Sequence, residues 1–208
     1  MNKSLFPVSQ YGWNYIGWSV GFVLLSLLLK LSLFVFFFFF TTLFFLFLFR
    51  NPEREIVRFE EKSVLSPTDG IVSAIEPIEN SYYAHKLTIS SSILDVGILR
   101  SPCSAHVKSI HKHYGNRLRA SNPLSCKLNE KIILELEDAF LNTIKIEYKL
   151  DGSFLPVVID SKKEVTQSLR DGFMLNGTVI LYLPHNFRFN VKVGDAVCAP
   201  KSLVGYFS

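Results

Sequence analysis

Cysteine is scarce: Cys103, Cys126 and Cys198 are the three in 208 residues, an odd set without a CxxC pair. That argues against a disulfide scaffold and fits a reducing compartment. Charge is thin as well. Asp, Glu, Lys and Arg make up 19% of the chain against 49% hydrophobic residues, which excludes a disordered or polyelectrolyte protein. The 22 basic and 18 acidic side chains leave a net charge of +4. No run of Lys and Arg with interleaved aromatics forms a nucleic-acid stripe, so no nucleic-acid partner is expected. Internal repeats are absent, and low complexity is confined to one run of Phe.

What is abundant is phenylalanine, 19 residues in all, and it is unevenly spread. From Trp13 to Phe49 the only charge is Lys30. The composition is that of a membrane segment. A signal peptide would have a shorter apolar core and an A-x-A cleavage site, and neither is present. As one helix the segment would run roughly 55 Å, against a hydrocarbon core of about 30 Å. Lys30 divides it into Trp13–Leu29 and Leu31–Phe49, which predicts a helical hairpin with Lys30 snorkelling to the far interface. The alternative is one tilted span preceded by an interfacial helix, with Trp13, Tyr15 and Trp18 as an aromatic belt. Arg50, Arg54 and Arg58 follow the last Phe, which places the C-terminal part on the cytoplasmic side of a cell membrane. The hairpin would put Lys3 there too.

Residues 50–208 hold 20 of the basic groups and all 18 acidic ones, a net of +2. The expected organisation is a tail at 1–12, transmembrane segments at 13–49 and a soluble domain at 50–208. Period-two runs predict strands at Ile71–Ile75, Lys86–Ser90, His106–Ile110, Lys131–Leu136, Thr143–Leu150, Phe154–Ile159, Thr178–Leu183 and Asn190–Val193. Turn residues punctuate them at Pro67-Thr68-Asp69-Gly70, Asp151-Gly152, Asp171-Gly172, Asn176-Gly177 and Gly194-Asp195. The fold class is therefore mainly β: a compact β-rich domain behind an N-terminal transmembrane helical anchor. Short helices fit only around Ser161–Leu169 and Ile93–Gly97.

Three places could carry chemistry. Asp69 stands on the Ser66-Pro67-Thr68-Asp69-Gly70 turn, either as a turn former or as a catalytic carboxylate on a rigid loop. Cys103, His106, His111 and His113 lie within eleven residues, but their spacing fits no common zinc motif, and no metal is expected. Asn176-Gly177, between two apolar runs, reads as a two-residue hairpin turn.

The order of several short motifs changes these weights. Phe49-Arg-Asn-Pro-Glu-Arg54 directly after an apolar segment, then Leu65-Ser-Pro-Thr-Asp-Gly-Ile-Val-Ser-Ala-Ile75, resembles the phosphatidylserine decarboxylases. It is most similar to their short, membrane-anchored form. Leu94-Asp-Val-Gly-Ile-Leu-Arg-Ser-Pro102 resembles that family's x-D-V-H-x-x-R-x-P, Asn129-Glu130-Lys131 its N-E-R, and Leu175-Asn-Gly-Thr-Val-Ile180 its L-G-S-T-V-I. Val193-Gly-Asp-Ala-Val197 is similar to its closing segment. The resemblance implies removal of the serine carboxylate from phosphatidylserine to give phosphatidylethanolamine, with a pyruvoyl group as electron sink. In the family that group arises when an internal Ser attacks the preceding carbonyl and the chain breaks, assisted by an Asp and a His.

Carried over residue by residue, Asp69 matches the Asp, Gly97 stands at the His position and Gly177 at the Ser position. Glycine has neither hydroxyl nor β-carbon, so no pyruvoyl cofactor can form from Gly177. The family's Q-I-A-G-x-x-A-R-R-I segment is unrecognisable between Thr143 and Leu155. Shifting the motif by one residue offers Thr178, whose hydroxyl could act after Gly177 and leave a 2-ketobutyryl group, with His106 as a substitute for the missing His. The candidate catalytic residues are thus Asp69 and Thr178, with self-cleavage at Gly177/Thr178. Two readings follow: a divergent decarboxylase, or a catalytically impaired member that keeps its fold as a module for membrane phospholipid or a protein partner. A third is a structural membrane protein whose motifs are coincidence.

Overall fold

The computed structural model describes residues 7–55, 60–79, 82–160 and 163–208, and the chain divides into two compact units, Met1–Glu53 and Arg54–Ser208. Lys3 and Arg58, used above to argue orientation, lie outside the described residues.

The first unit is a helical hairpin. A 3₁₀ turn at Gln10–Gly12 leads into α1 (Trp13–Leu28), and α2 (Ser32–Leu48) returns antiparallel to it. The turn has neither Gly nor Pro because Lys30 itself adopts the left-handed conformation, φ 54°. Its N–H donates to Leu27 O at 3.1 Å and the Leu31 N–H to Ser26 O at 3.0 Å. This is a Schellman closure with lysine where glycine is usual, and it stops α1 at 16 residues. The helices meet through Phe22 and Phe38, stacked with ring centroids 5.1 Å apart, and through the Thr42 hydroxyl, which donates to Ser19 Oγ at 3.1 Å. At the open end Ser9 N–H donates to Phe49 O and Asn51 N–H to Pro7 O, at 2.8 and 2.7 Å. One tilted span after an interfacial helix is therefore not what forms. The transmembrane anchor is not supported either, since no described helix is long and apolar enough to cross a membrane. At 16 and 17 residues, α1 and α2 each run about 25 Å. Their outward faces remain apolar: Trp18, Leu28, Leu33 and Phe36 are all exposed by 66% or more.

The second unit is β-rich. Its elements are β1 (Ser63–Leu65), β2 (Gly70–Pro77), β3 (Tyr83–Ser91), β4 (Ile98–Arg100), β5 (Ala105–His113), α3 (Ser125–Leu128), β6 (Lys131–Glu137) and β7 (Thr143–Leu150), followed by β8 (Val158–Ile159), β9 (Glu164–Val165), β10 (Arg170–Phe173), β11 (Gly177–Pro184), β12 (Phe187–Phe189), β13 (Ala196–Val197) and β14 (Leu203–Phe207). Eight strands form one sheet in the order β13-β2-β3-β11-β7-β6-β5-β9, and two three-stranded sheets, β1-β14-β12 and β4-β10-β8, accompany it. Alternation does the folding work. In β6 the residues Ile132, Leu134 and Leu136 are buried while their neighbours are half-exposed, and Val179, Leu181 and Leu183 do the same in β11. These side chains form one core with Leu87, Ile89, Ile144 and Ile146. Each contributes about 1.5–3 kcal/mol by leaving water.

Several expected elements differ. Phe154–Ile159 keeps only the two residues of β8 as strand. Asn190–Val193 makes a single ladder bond, Asn190 N–H to Val204 O, before Asp195 caps a turn on the Lys192 N–H at 2.8 Å. Ile93–Gly97 is a turn, not a helix, because the Asp95 carboxylate accepts from the N–H and hydroxyl of Ser92 at 2.7 and 2.9 Å. Of the expected helix Ser161–Leu169, positions 161–162 lie outside the described residues. The rest contains β9, which pairs with β5. The Asn176-Gly177 hairpin also fails: β10 and β11, on either side of it, belong to different sheets. Asn176 does turn the chain, at φ 59°, but it carries it from one sheet to the other.

Candidate functional site

Three motifs converge at one end of the large sheet. Ser90 of β3 lies opposite Ile71 of β2 on one side and Thr178 of β11 on the other. Asp69 and Gly177 therefore enter the sheet at the same end, separated by one strand, or about 9–10 Å. The Arg100 N–H donates to Pro67 O at 2.9 Å, which docks the Ser-Pro-Thr-Asp loop on β4. Gly97 O accepts from the Met174 N–H at 2.8 Å, three residues before Gly177. Asp69, Gly97 and Gly177 are thus brought to one end of the sheet.

Asp69 is buried and fully engaged. Both of its oxygens accept from the Arg54 guanidinium at 2.6 Å, and Oδ1 also accepts from the Ala199 N–H at 2.9 Å. Arg54 donates in turn to Ala199 O. The hydrogen bond to Asp69 holds the guanidinium pKa above its ordinary value, against the opposing effect of burial. Burial first, and then the nearby Asp69 carboxylate, push the Cys198 thiol up as well. The result is a clamp between the start of the β unit and the loop before β14. Arg54, the last residue of Phe-Arg-Asn-Pro-Glu-Arg, was not singled out in the sequence as the partner of Asp69; its motif membership was the available signal.

At residue 177 a β-carbon would collide with the Lys149 carbonyl oxygen and stand 2.8 Å from Met174 Sδ. At residue 97 it would stand 2.8 Å from the Phe173 ring and 3.0 Å from Met174 O. Phe173 and Met174, both buried, occupy the space that larger residues at 97 and 177 would need. Sequence reading missed both as fillers, since a buried Phe-Met pair looks like any core segment.

Thr178 faces the other way. Along β11 it alternates with the buried Val179, and its hydroxyl donates to Oδ2 of the buried Asp151. Lys149 Nζ stands 3.6 Å from the other Asp151 oxygen. Gly177 and Thr178 thus project to opposite faces, as any one-residue shift along a strand requires. Asp151, read in the sequence as half of an Asp-Gly turn, is the carboxylate that Thr178 meets. His106 is not brought there: it lies on β5, three strands from β11, with its exposed ring 3.5 Å from Glu164. His111 and His113 are exposed on the same strand, and Cys103 is buried, its thiol pushed up to about 12 by burial. Among the described residues no group of three or more His, Cys, Asp or Glu comes together to hold a metal ion.

An aspartate clamp, a D-V-G-x-x-R strand and a glycine-threonine strand start, gathered at one end of an antiparallel sheet, define a class of β-rich protein. Comparison with known proteins gives that class a family. The family described as phosphatidylserine decarboxylase matches residues 41–205. A phosphatidylserine decarboxylase proenzyme of Nitrosomonas europaea is 26% identical over 206 residues, 96% of this chain and 95% of that one. A proenzyme of the same description from Streptomyces coelicolor is 32% identical over 157 residues, covering 74% and 69%. One from Carboxydothermus hydrogenoformans is 32% identical over 105 residues, about half of each chain. No solved structure matches. The chain belongs to the phosphatidylserine decarboxylase family.

Proposed function

We propose that this protein serves phospholipid metabolism, on the phosphatidylethanolamine branch, as a non-catalytic member of its family: a module that binds membrane phospholipid or a protein partner and does not turn substrate over. One observation carries this reading. The β-carbon positions of residues 97 and 177 are closed by Phe173, Met174 and the Lys149 carbonyl. Residue 177 supplies none of the oxygen or β-carbon of a pyruvoyl group, so no reaction step runs through one here. Asp69, committed to Arg54 and Ala199, acts as a structural clamp.

The same proposal places residues 13–49 in lipid. Without crossing the membrane, the hairpin enters from one face and returns. Four of its hydroxyls support this setting: Ser19, Ser26 and Thr41 donate to the Ile16, Phe22 and Phe37 carbonyls one turn back at 2.8–2.9 Å, and the Thr42 hydroxyl is shared between Phe38 O and Ser19 Oγ. Trp13, Tyr15 and Trp18 then lie at the interface, and Lys30 at the tip. Arg50, over the Phe47 ring at 4.2 Å, supplies a basic residue directly after the hairpin, and by the preference of basic residues for the cytoplasmic face we propose that residues 50–208 lie on that side.

The full-length protein incubated with vesicles containing phosphatidylserine tests the catalytic half. No phosphatidylethanolamine above the no-protein control is expected; steady production would overturn the reading. A second reading rests on the Thr178–Asp151 hydrogen bond, which gives the threonine hydroxyl a carboxylate to accept its proton. In it, Oγ1 attacks the Gly177 carbonyl and the peptide becomes an ester. β-Elimination then expels the Gly177 carboxylate as the end of the 1–177 fragment, and hydrolysis of the resulting enamine releases ammonia and leaves a 2-ketobutyryl group on a fragment of residues 178–208. A hydroxylamine adduct on that fragment would establish it.

A further inference from the structure

We propose that residues 111–128, the end of β5 and the excursion that follows it, form a contact surface for an anionic membrane face; the proposal rests on the hairpin being in lipid. From Val96 to Asn129 the chain carries six Lys or Arg and three His, with no Asp or Glu. An ordinary solvated surface mixes both signs. Two of these cations are neutralised locally, Lys108 by Glu137 at 2.5 Å and Arg117 by Glu130 at 3.1 Å. Lys112, Arg119 and Lys127 are exposed and have no carboxylate partner among the described residues. Interleaved with them are apolar side chains turned to solvent: Tyr114 is 89% exposed, Leu124 53% and Leu128 45%. Cations around an aromatic and two leucines are the chemistry of an interfacial segment, in which the apolar tips enter the headgroup layer and the amines meet lipid phosphates.

The excursion is built to present this surface. Asn129 pins it at three points, its amide nitrogen donating to Leu118 O at 2.7 Å and Leu150 O at 2.6 Å, and its oxygen accepting from the Leu118 N–H at 2.9 Å. The Asn116 N–H donates to Leu128 O at 2.7 Å, and the Glu130 N–H to Asn116 O at 2.8 Å. The two limbs are thereby held side by side, with Tyr114 and Leu128 at neighbouring ends.

Cys126 lies on this surface and is exposed, whereas Cys103 is buried and Cys198 half-buried on a separate stretch of chain, so alkylation resolved by peptide reads the contact without a new label. The full chain is reconstituted in phosphatidylcholine vesicles, with or without about one third phosphatidylglycerol, and floated. N-ethylmaleimide modification of Cys126 is then timed by peptide mass mapping. Alkylation is expected to be about five-fold slower or more in the anionic vesicles. High salt, or the combined substitutions Lys112→Gln, Arg119→Gln and Lys127→Gln, should restore the neutral-vesicle rate. Equal rates in floated protein overturn this proposal alone. Protein that fails to float with either vesicle overturns the hairpin reading and this proposal together.

Discussion

Residue 177 is decided by backbone. Its neighbour is the Lys149 carbonyl of β7, and a carbonyl in a central strand cannot swing aside as a side-chain tip can. Introducing a side chain with Gly177→Ser is therefore expected to destabilise the β unit by about 1–3 kcal/mol and to leave the chain uncleaved. Urea unfolding together with a denaturing gel checks both. Asp69 gives an opposite kind of prediction. With side chains only 15% and 13% exposed, Arg54 and Asp69 form a largely buried pair. Arg54→Ala strands a carboxylate and should cost about 3 kcal/mol, seen as a lower denaturation midpoint. A stability unchanged by this substitution would return Asp69 to the list of free catalytic bases. Cys103 supplies a pH dependence. Its folded pKa is about 12 against an ordinary value of 9.0. Above pH 9 the unfolded chain releases this proton while the folded chain keeps it. Stability contributed by the neutral thiol is thus complete below pH 9 and is lost as pH rises towards 12, by about 1.4 kcal/mol per pH unit. Cys103→Ala should flatten that part of the alkaline profile.

Elements explain which parts of the architecture could be read in advance. β6 and β7 follow their period-two patterns almost to the residue, because alternate side chains face one core. The two-residue strands β8, β9 and β13 carry no period of their own and exist only where a neighbour pairs with them. The turn at Lys30 was legible as a break in hydrophobicity, although its closure, by a lysine at positive φ, was not. Asn176-Gly177 showed the limit most clearly. A dipeptide that favours positive φ marks a reversal, but whether the flanking strands pair depends on the sheet each joins. At the site, Asp69, Gly97 and Gly177 were singled out by motif order, whereas Arg54, Asp151 and Phe173 acquire their roles through contacts distant in sequence, and Met174 through the fold of the turn beside it. The same reasoning assigns Asn129 a testable role. Asn129→Ala removes three hydrogen bonds and should release the 115–128 limb, raising its amide exchange many-fold while β6 and β7 stay protected.

At the scale of the molecule, the fold brings Asp69, Gly97 and Gly177 to one end of the large sheet, and the Arg54–Asp69–Ala199 clamp joins the loops beside it. The volume where larger side chains would sit is filled by Phe173 and Met174. A hairpin with an apolar surface and a basic, leucine-tipped excursion are features suited to residence at a membrane. Binding without turnover is the function proposed for these parts. The intact mass of the full-length protein, purified without prior denaturation, tests that claim most directly. A single species at the full 23.7 kDa is predicted, whereas a fragment beginning at Thr178 that carries a reactive ketone would contradict it.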